Sequence, residues 1–279
     1  MWRISNRLSL IKGFFSPGRD FPFAMIDMLK GVVKQPCTRI GPAFVEKIDE
    51  EKDHLIVKLH SEATALYWPR TLLICDLYKV LTECFSENDW HFYDVPETRV
   101  LPGEVVMDCG ACEGAFTLRV LNRAAHIVAF EPLPLFVSSL RKTFSQSSNV
   151  TIVPAALGSA EGTAVLQGTP LCGAVEKDGR DGVPITVTTI DQYVKRTGIA
   201  VNFIKADVEA FEFEVLRGAE NTIRKFRPKI AFTVYHPGDN WRQIRDFLRS
   251  LVPRYSYRLK GISYNKGVAR PVMIHLWVD

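Results

Sequence analysis

From residue 101 onward, short runs of apolar and β-branched residues alternate with stretches whose apolar positions recur every three or four residues. The runs predict strands at 104–108, 126–131, 150–155, 201–207, 229–235, 254–260 and 271–278. Between them, helices are predicted at 115–124, 134–145, 190–197, 212–226 and 239–250. Apolar, β-rich runs alternating with helical patterns argue for a mainly parallel sheet covered by helices on both sides. Gly261-Ile-Ser-Tyr-Asn-Lys-Gly267 is too short for a parallel crossover, so the last two strands must pair as a hairpin and the final one runs antiparallel. The stretch from Gly158 to Val187 breaks the alternation with short pieces and many glycines. An extra hairpin with a mobile loop around 168–182 is expected there.

The first hundred residues follow another pattern. Ala43-Phe-Val-Glu-Lys-Ile48 and His54-Leu-Ile-Val-Lys-Leu59, separated by the charged run Asp49–Asp53, predict a β-hairpin. Leu73, Leu77, Val80, Leu81 and Cys84 recur at helical spacing and predict a helix from Pro69 to Phe85, with the proline in its first turn. Residues 1–40 mix basic residues with Phe14, Phe15, Phe21 and Phe23. That mixture suits a membrane-surface helix, a homodimer contact or a packing arm, and the breakers Pro17 and Pro22 favour the arm or a lid. The turn Leu101-Pro-Gly-Glu104 marks the expected boundary between an α+β accessory region, 1–100, and the main domain, 101–279.

Composition narrows the classes. At 279 residues with 47% hydrophobic and 24% charged content, the chain reads as an ordinary soluble globular protein, and a net charge of +4 gives no strong nucleic-acid signal. No apolar run is long enough to span a bilayer, and charges interrupt the N-terminus too often for a signal peptide, so a cytoplasmic location is expected. The six cysteines include a C-x-x-C at Cys109 and Cys112, but no second pair stands at zinc-site spacing, so reduced, non-ligating thiols are expected.

The candidate chemistry begins at Val105-Val-Met-Asp-Cys-Gly-Ala-Cys-Glu-Gly-Ala-Phe-Thr117. A buried strand ends on Asp108 and turns through Gly110 and Gly114 into a helix. Twenty-three residues after Asp108, a second apolar run ends on Glu131. Strand, glycine turn, helix, strand and acid is how an α/β domain holds an adenosine-containing cofactor, the acid accepting hydrogen bonds from the ribose hydroxyls. The turn lacks the G-x-G-x-x-G that presents a helix N-terminus to a pyrophosphate. Its acid would repel a pyrophosphate and suits a ligand with an ammonium group, which favours S-adenosylmethionine over a dinucleotide. Seven strands with only the last reversed is also the sheet of the Rossmann-like class I methyltransferases.

From Val105 to about Tyr235 the chain resembles the FkbM family of S-adenosylmethionine-dependent methyltransferases, which are mostly O-methyltransferases. The resemblance rests on Asp-Cys-Gly-Ala-Cys-Glu-Gly114, Ala-Phe-Glu-Pro132, Pro-Ala-Ala-Leu-Gly158, Thr-Thr-Ile-Asp191 and above all Ile204-Lys-Ala-Asp-Val-Glu-Ala-Phe-Glu-Phe-Glu-Val-Leu-Arg-Gly218. It implies a cofactor site built from Asp108, Gly110, Ala111, Gly114, Phe116, Thr117, Glu131, Pro132, Ala155, Ala156 and Asp207. Two positions depart from the family pattern: Cys112 stands where asparagine is usual, and Ala210 where glycine is usual. The alanine should avoid a positive φ.

Methyl transfer is an in-line displacement, so the acceptor oxygen must be held behind the methyl and its proton removed or shielded. Asp207 and Glu209, after the fourth strand, and His236, after the fifth, are expected at neighbouring strand ends. His236 could act as general base oriented by Asp207 or Glu209. Alternatively the three could ligate Mg²⁺ or Mn²⁺ and lower the acceptor's pKa. Read singly, Asp207 could merely cap the following helix. Asp191 is expected to cap the helix it begins, and the basic cluster Arg217, Arg224, Lys225, Arg227 and Lys229 to be a solvated face. The acceptor expected is a small-molecule hydroxyl, of a sugar or glycan unit or a secondary metabolite. An RNA methyltransferase and a non-catalytic cofactor-binding assembly domain are the alternatives.

Overall fold

The computed structural model describes residues 4–169, 172–176, 182–236, 240–265 and 267–278. The N-terminal hundred residues form helices α1 (Ile4–Phe14), α2 (Met25–Val33) and α3 (Cys37–Ile40), strands β1 (Val45–Glu50), β2 (His54–Leu59) and β3 (Leu66–Pro69), and helix α4 (Ile74–Phe85). The expected hairpin is present as β1–β2. β3 adds a third antiparallel strand that the pattern did not predict. Pro69 ends β3 instead of opening α4, where its missing N–H does no harm at the end of an edge strand.

The main domain then runs β4 (Val105–Cys109), α5 (Ala115–Val120), β5 (His126–Phe130), α6 (Pro134–Thr143), β6 (Val150–Val153), β7 (Ala156–Leu157), β8 (Gly162–Thr169), β9 (Cys172–Glu176), β10 (Val183–Thr188), α7 (Ile190–Thr197) and β11 (Phe203–Ala206). It ends with α8 (Glu212–Arg217), α9 (Glu220–Phe226), β12 (Lys229–Thr233), α10 (Trp241–Leu251), β13 (Tyr255–Lys260), β14 (Ser263–Asn265), β15 (Val268–Arg270) and β16 (Met273–Val278). Seven strands form one sheet in the order β13-β16-β12-β11-β4-β5-β6, and only β16 is reversed, wedged between β12 and β13. The predicted Rossmann-like class I methyltransferase sheet is therefore the observed one. The link before β16 folds a two-stranded hairpin of its own, β14–β15.

The glycine-rich stretch supplies a four-stranded sheet, β7-β10-β8-β9, so it holds more than the single hairpin expected. Part of the expected mobile loop, 170–171 and 177–181, lies outside the described residues. The helix expected over 212–226 is two helices. At the break, Gly218 packs so closely on the Gly158 carbonyl that any side chain would overlap it. Asp191 does not cap α7, because Thr189 does, its hydroxyl accepting from Gln192 N at 3.0 Å. Asp191 instead accepts from the amides of Asn221 (2.9 Å) and Thr222 (2.8 Å), tying the start of α9 to α7. In the basic cluster, Arg217 and Arg224 pair with Glu214 and Glu220 at the surface, whereas the Lys229–Glu104 pair is largely buried rather than on a solvated face.

Both faces of the main sheet are dry. On one, Met107, Val128, Ile204 and Phe232 pack with helices α7 to α10 and with Phe14, Phe21 and Met28 from the N-terminal arm. On the other, Val106, Ile127 and Phe203 pack with Phe116, Leu140, Trp68, Leu77 and Leu81, so β3 and α4 share the core of the cofactor helix. This places α4 over the C-terminal ends of the parallel strands.

Candidate active site

A cavity of about 230 Å³ opens at the C-terminal ends of β4, β5 and β11, where ligands of open α/β sheets bind. One wall is the glycine turn. Gly110 has φ +73° and Gly114 +97°, and the amides of Gly110 and Ala111 both donate to the Phe130 carbonyl at 3.0 Å. That shared acceptor folds the turn across the end of β5 and brings Cys112 N to 2.9 Å from Glu131 Oε2. Leu133 N donates to Glu131 Oε1 at 2.9 Å. Burial pushes the Glu131 carboxyl up to about 7 against these two amides, and Glu113, also buried, to about 7.

The second wall is β11 and the turn after it. Register pairs Lys205 directly with Asp108 on β4. The Lys205 ammonium lies 3.0 Å from Asp108 Oδ1 and donates to the Gly110 carbonyl at 2.6 Å. Asp108 also accepts from the Thr117 hydroxyl at 2.7 Å. Burial opposes the charge on Lys205, but Asp108 and Asp207 outweigh it and hold its pKa above the ordinary lysine value. An internal ammonium thus sits on the acid that the turn was read as offering to a ligand. Asp108 here fixes the turn from behind, together with Thr117 and Gly114. Gly110, Ala111, Phe116, Glu131, Pro132, Ala155, Ala156 and Asp207 line the cavity itself.

Asp207 is the hub. Its Oδ2 accepts from the Tyr93 hydroxyl at 2.8 Å and its Oδ1 from the Thr233 hydroxyl at 3.1 Å. Burial works against its charge, but Lys205, His236 and His91 prevail and hold the carboxyl below its usual range. His236 Nε2 stands 3.3 Å from Glu209 Oε2 and 4.0 Å from Asp207 Oδ1, so the three expected residues do meet. Asp207 and Glu209 line the cavity, while His236, 6% exposed, stands behind them against the Tyr235 ring at 4.1 Å between centroids. The bend that turns Glu209 inward puts Glu209 at φ +54° and Ala210 at φ +73°. The expectation that Ala210 avoids a positive φ is therefore wrong. The tight turn into α8 imposes the conformation, and the alanine bears a strain that glycine would not.

Among the described residues, the side-chain atoms close enough to share a cation belong to Asp207, Glu212 and His236, all within 4.8 Å of one another, rather than to the expected set with Glu209. Glu212 Oε1 already accepts from Val208 N at 2.9 Å and shares the one Thr233 hydroxyl proton with Asp207, its oxygen 3.0 Å from Thr233 Oγ1. With an imidazole among only three donors, the set is a poor fit to Mg²⁺, which prefers oxygen ligands.

Tyr93, Glu83, Glu113 and Lys205 are among the cavity residues that escaped the sequence reading. Lys205 carried a signal, as a lysine inside the otherwise apolar Phe203-Ile-Lys-Ala206 strand must find a buried anion. Glu83 sits on α4 with His91 Nδ1 at 3.5 Å, and the His91 ring meets Tyr235 edge-on at 5.1 Å. Neither Glu83 nor Tyr93 showed in the pattern, because their role depends on how the N-terminal region docks. Cys109 and Cys112 are free thiols, as expected.

The methyltransferase FkbM domain model matches residues 108–259, more than half of the chain. The chain belongs to the FkbM methyltransferase family. Among solved structures, the methyltransferase FkbM from Methylobacillus flagellatus KT is similar at 20% identity and a TM-score of 0.51, over 73% of this chain and 54% of that one. This FkbM chain therefore spans about half the length of that relative. An rRNA methylase from Streptococcus thermophilus is 11% identical, with a TM-score of 0.42 over 64% of this chain and 89% of that one. A Streptococcus mutans methyltransferase in complex with SAH is 14% identical, with a TM-score of 0.41 over 65% and 92%. Neither of the last two bears on the acceptor. The curated proteins compared include no match.

Proposed function

We propose that this FkbM chain transfers the methyl group of S-adenosylmethionine to a hydroxyl of a small molecule, a sugar or glycan unit or a secondary metabolite. The observation that carries the reading is the charge of the cavity. Asp76, Asp207 and Glu209 line it together with Glu83, Glu113 and Glu131, whose carboxyls burial raises, the last two to about 7, against only Lys79 and Lys205, and Lys205 is paired with Asp108. Such a lining repels the phosphates of RNA, whose binding depends on Lys and Arg, and receives a sulfonium and a polyhydroxyl acceptor without cost in repulsion.

The residues fit the cofactor. Glu131 accepts two amides and keeps further lone pairs for the ribose hydroxyls. Ala155, Ala156 and Leu157 offer a small apolar surface for the adenine, and the backbone of Gly110–Cys112 a path for the amino-acid tail. When bound, S-adenosylmethionine supplies an electrophilic methyl group. Asp207, held ionised by its neighbours, offers its negative charge to the sulfonium, while Glu209 accepts the hydrogen bond of the acceptor hydroxyl. Glu209 takes the proton, and His236 behind it orients the carboxylate and shares the charge. A screen of sugars, polyketides and RNA with radiolabelled cofactor is expected to label a hydroxyl-bearing small molecule. Label on RNA alone would overturn the assignment.

Glu131→Ala is expected to weaken cofactor binding by about 1.5–3 kcal/mol through loss of hydrogen bonds to a charged acceptor. In the wild type, Glu131 sits at about 7 in the fold against 4.5 ordinarily. A raised carboxyl favours the fold below its ordinary pKa, and that contribution is lost as pH rises through the folded value. The ionised form is the better acceptor for hydroxyls, so cofactor binding releases a proton. Affinity should strengthen from about pH 6 to about pH 8 and then level off. Calorimetry giving a flat profile would remove Glu131 from the ribose site.

A further inference from the structure

Helices α1 and α2 carry an apolar face that the described residues leave bare. On α2, Met25, Ile26, Leu29 and Val33 are 56%, 58%, 49% and 74% exposed. At 3.6 residues per turn they fall within one arc of about 100°. The opposite side, Met28 and Gly31, is buried against the body of the protein, where Gly31 lies so close to Trp90 that a side chain would overlap the indole. On α1 and at its C-terminal end, Leu8 and Phe15, seven residues apart, are 50% and 66% exposed with Lys12 between them, while Leu10 and Phe14 are buried. Six of the eleven exposed large hydrophobics among the described residues lie between positions 8 and 33. A soluble surface scatters such residues singly, and a cluster marks a contact.

Charge identifies the partner. Residues 1–40 contain seven Lys and Arg against two Asp, a net +5, whereas the whole chain carries +4. The remaining residues are therefore net −1, and all the net positive charge sits in the segment with the bare apolar face. Lys30, its side chain 71% exposed and 3.9 Å from Asp27, flanks the apolar arc of α2, as Lys12 lies beside Leu8 and Phe15. Apolar side chains rimmed by lysines suit the boundary of an anionic bilayer, with the ammonium groups among the headgroups. A second copy would bring two surfaces of net +5 together. Neither helix, at 11 and 9 residues, is long enough to cross a bilayer. The face is also firmly mounted: Lys34 of the segment after α2 forms an ion pair with buried Asp89, and Phe23 packs edge-on to Trp90 at 5.7 Å.

We propose that the α1–α2 face docks this protein onto anionic phospholipid membranes. The proposal is independent of the acceptor. The full chain should sediment with phosphatidylcholine vesicles containing phosphatidylserine, not with phosphatidylcholine alone, and should be released by high salt. Leu29→Asp and Val33→Asp, at exposed positions, should abolish sedimentation with circular dichroism and melting temperature unchanged. Lys12→Gln combined with Lys30→Gln should weaken binding about thirtyfold. Absence of sedimentation with the serine-containing vesicles overturns the proposal, as does equal sedimentation with both kinds. If light scattering instead shows a dimer that Leu29→Asp dissociates, and vesicles bind nothing, the face belongs to a second copy.

Discussion

Glu209→Gln is expected to lower methyl turnover by about 10²–10⁴-fold, the range for losing a general base, while cofactor affinity stays near the wild-type value. Glu209 lines the cavity and His236 Nε2 lies 3.3 Å from its carboxylate, so proton and positive charge move within one pair. His236→Ala should fall in the same direction, turnover far more than affinity. The double variant should be little worse than the more severe single one, because residues that act as a unit are not additive. Independent, multiplying losses would separate His236 from Glu209. The same assay in EDTA should keep full activity. Loss restored by Mg²⁺ or Mn²⁺ would turn Asp207, Glu212 and His236 into ligands and displace the general-base account.

Gly110→Val should abolish cofactor binding. The backbone there is at φ +73°, which costs a non-glycine residue roughly 1–2 kcal/mol. A Cβ would also overlap the carbonyl oxygen of Asp207, and with it the strand end that aims the Asp207 carboxylate. The side chain thus meets the site's own backbone, so cofactor binding and acceptor alignment should fail together. Circular dichroism should still report a folded sheet, and Gly110→Ala should give a milder loss of the same kind. Normal binding by the valine variant would mean that the turn holds something else.

The sheet was legible because its central strands are buried on both faces and so appear as mainly apolar runs, as at Val105–Cys109, His126–Phe130 and Lys229–Thr233. Helix ends were less so. The break at Gly218 is enforced by a contact with Gly158, sixty residues away, which no local period records. The site was legible where it lay on strand ends, at Glu131, Asp207, Glu209 and His236. It was not legible where it depended on packing between distant segments. Tyr93 reaches Asp207 only because α4 and the loop after it lie over the strand ends. The partnership of Lys205 with Asp108 needed the strand register as well as the sequence.

The central claim is that the cavity between Glu131 and Asp207 holds S-adenosylmethionine with its reacting end toward Glu209. A crystal structure with S-adenosylhomocysteine bound tests it most directly. The account predicts ribose hydroxyls on the Glu131 carboxylate, adenine against Ala155 and Ala156, and the sulfur opening toward Asp207 and Glu209. A product molecule bound elsewhere, or with its sulfur turned away from Asp207 and Glu209, would contradict it.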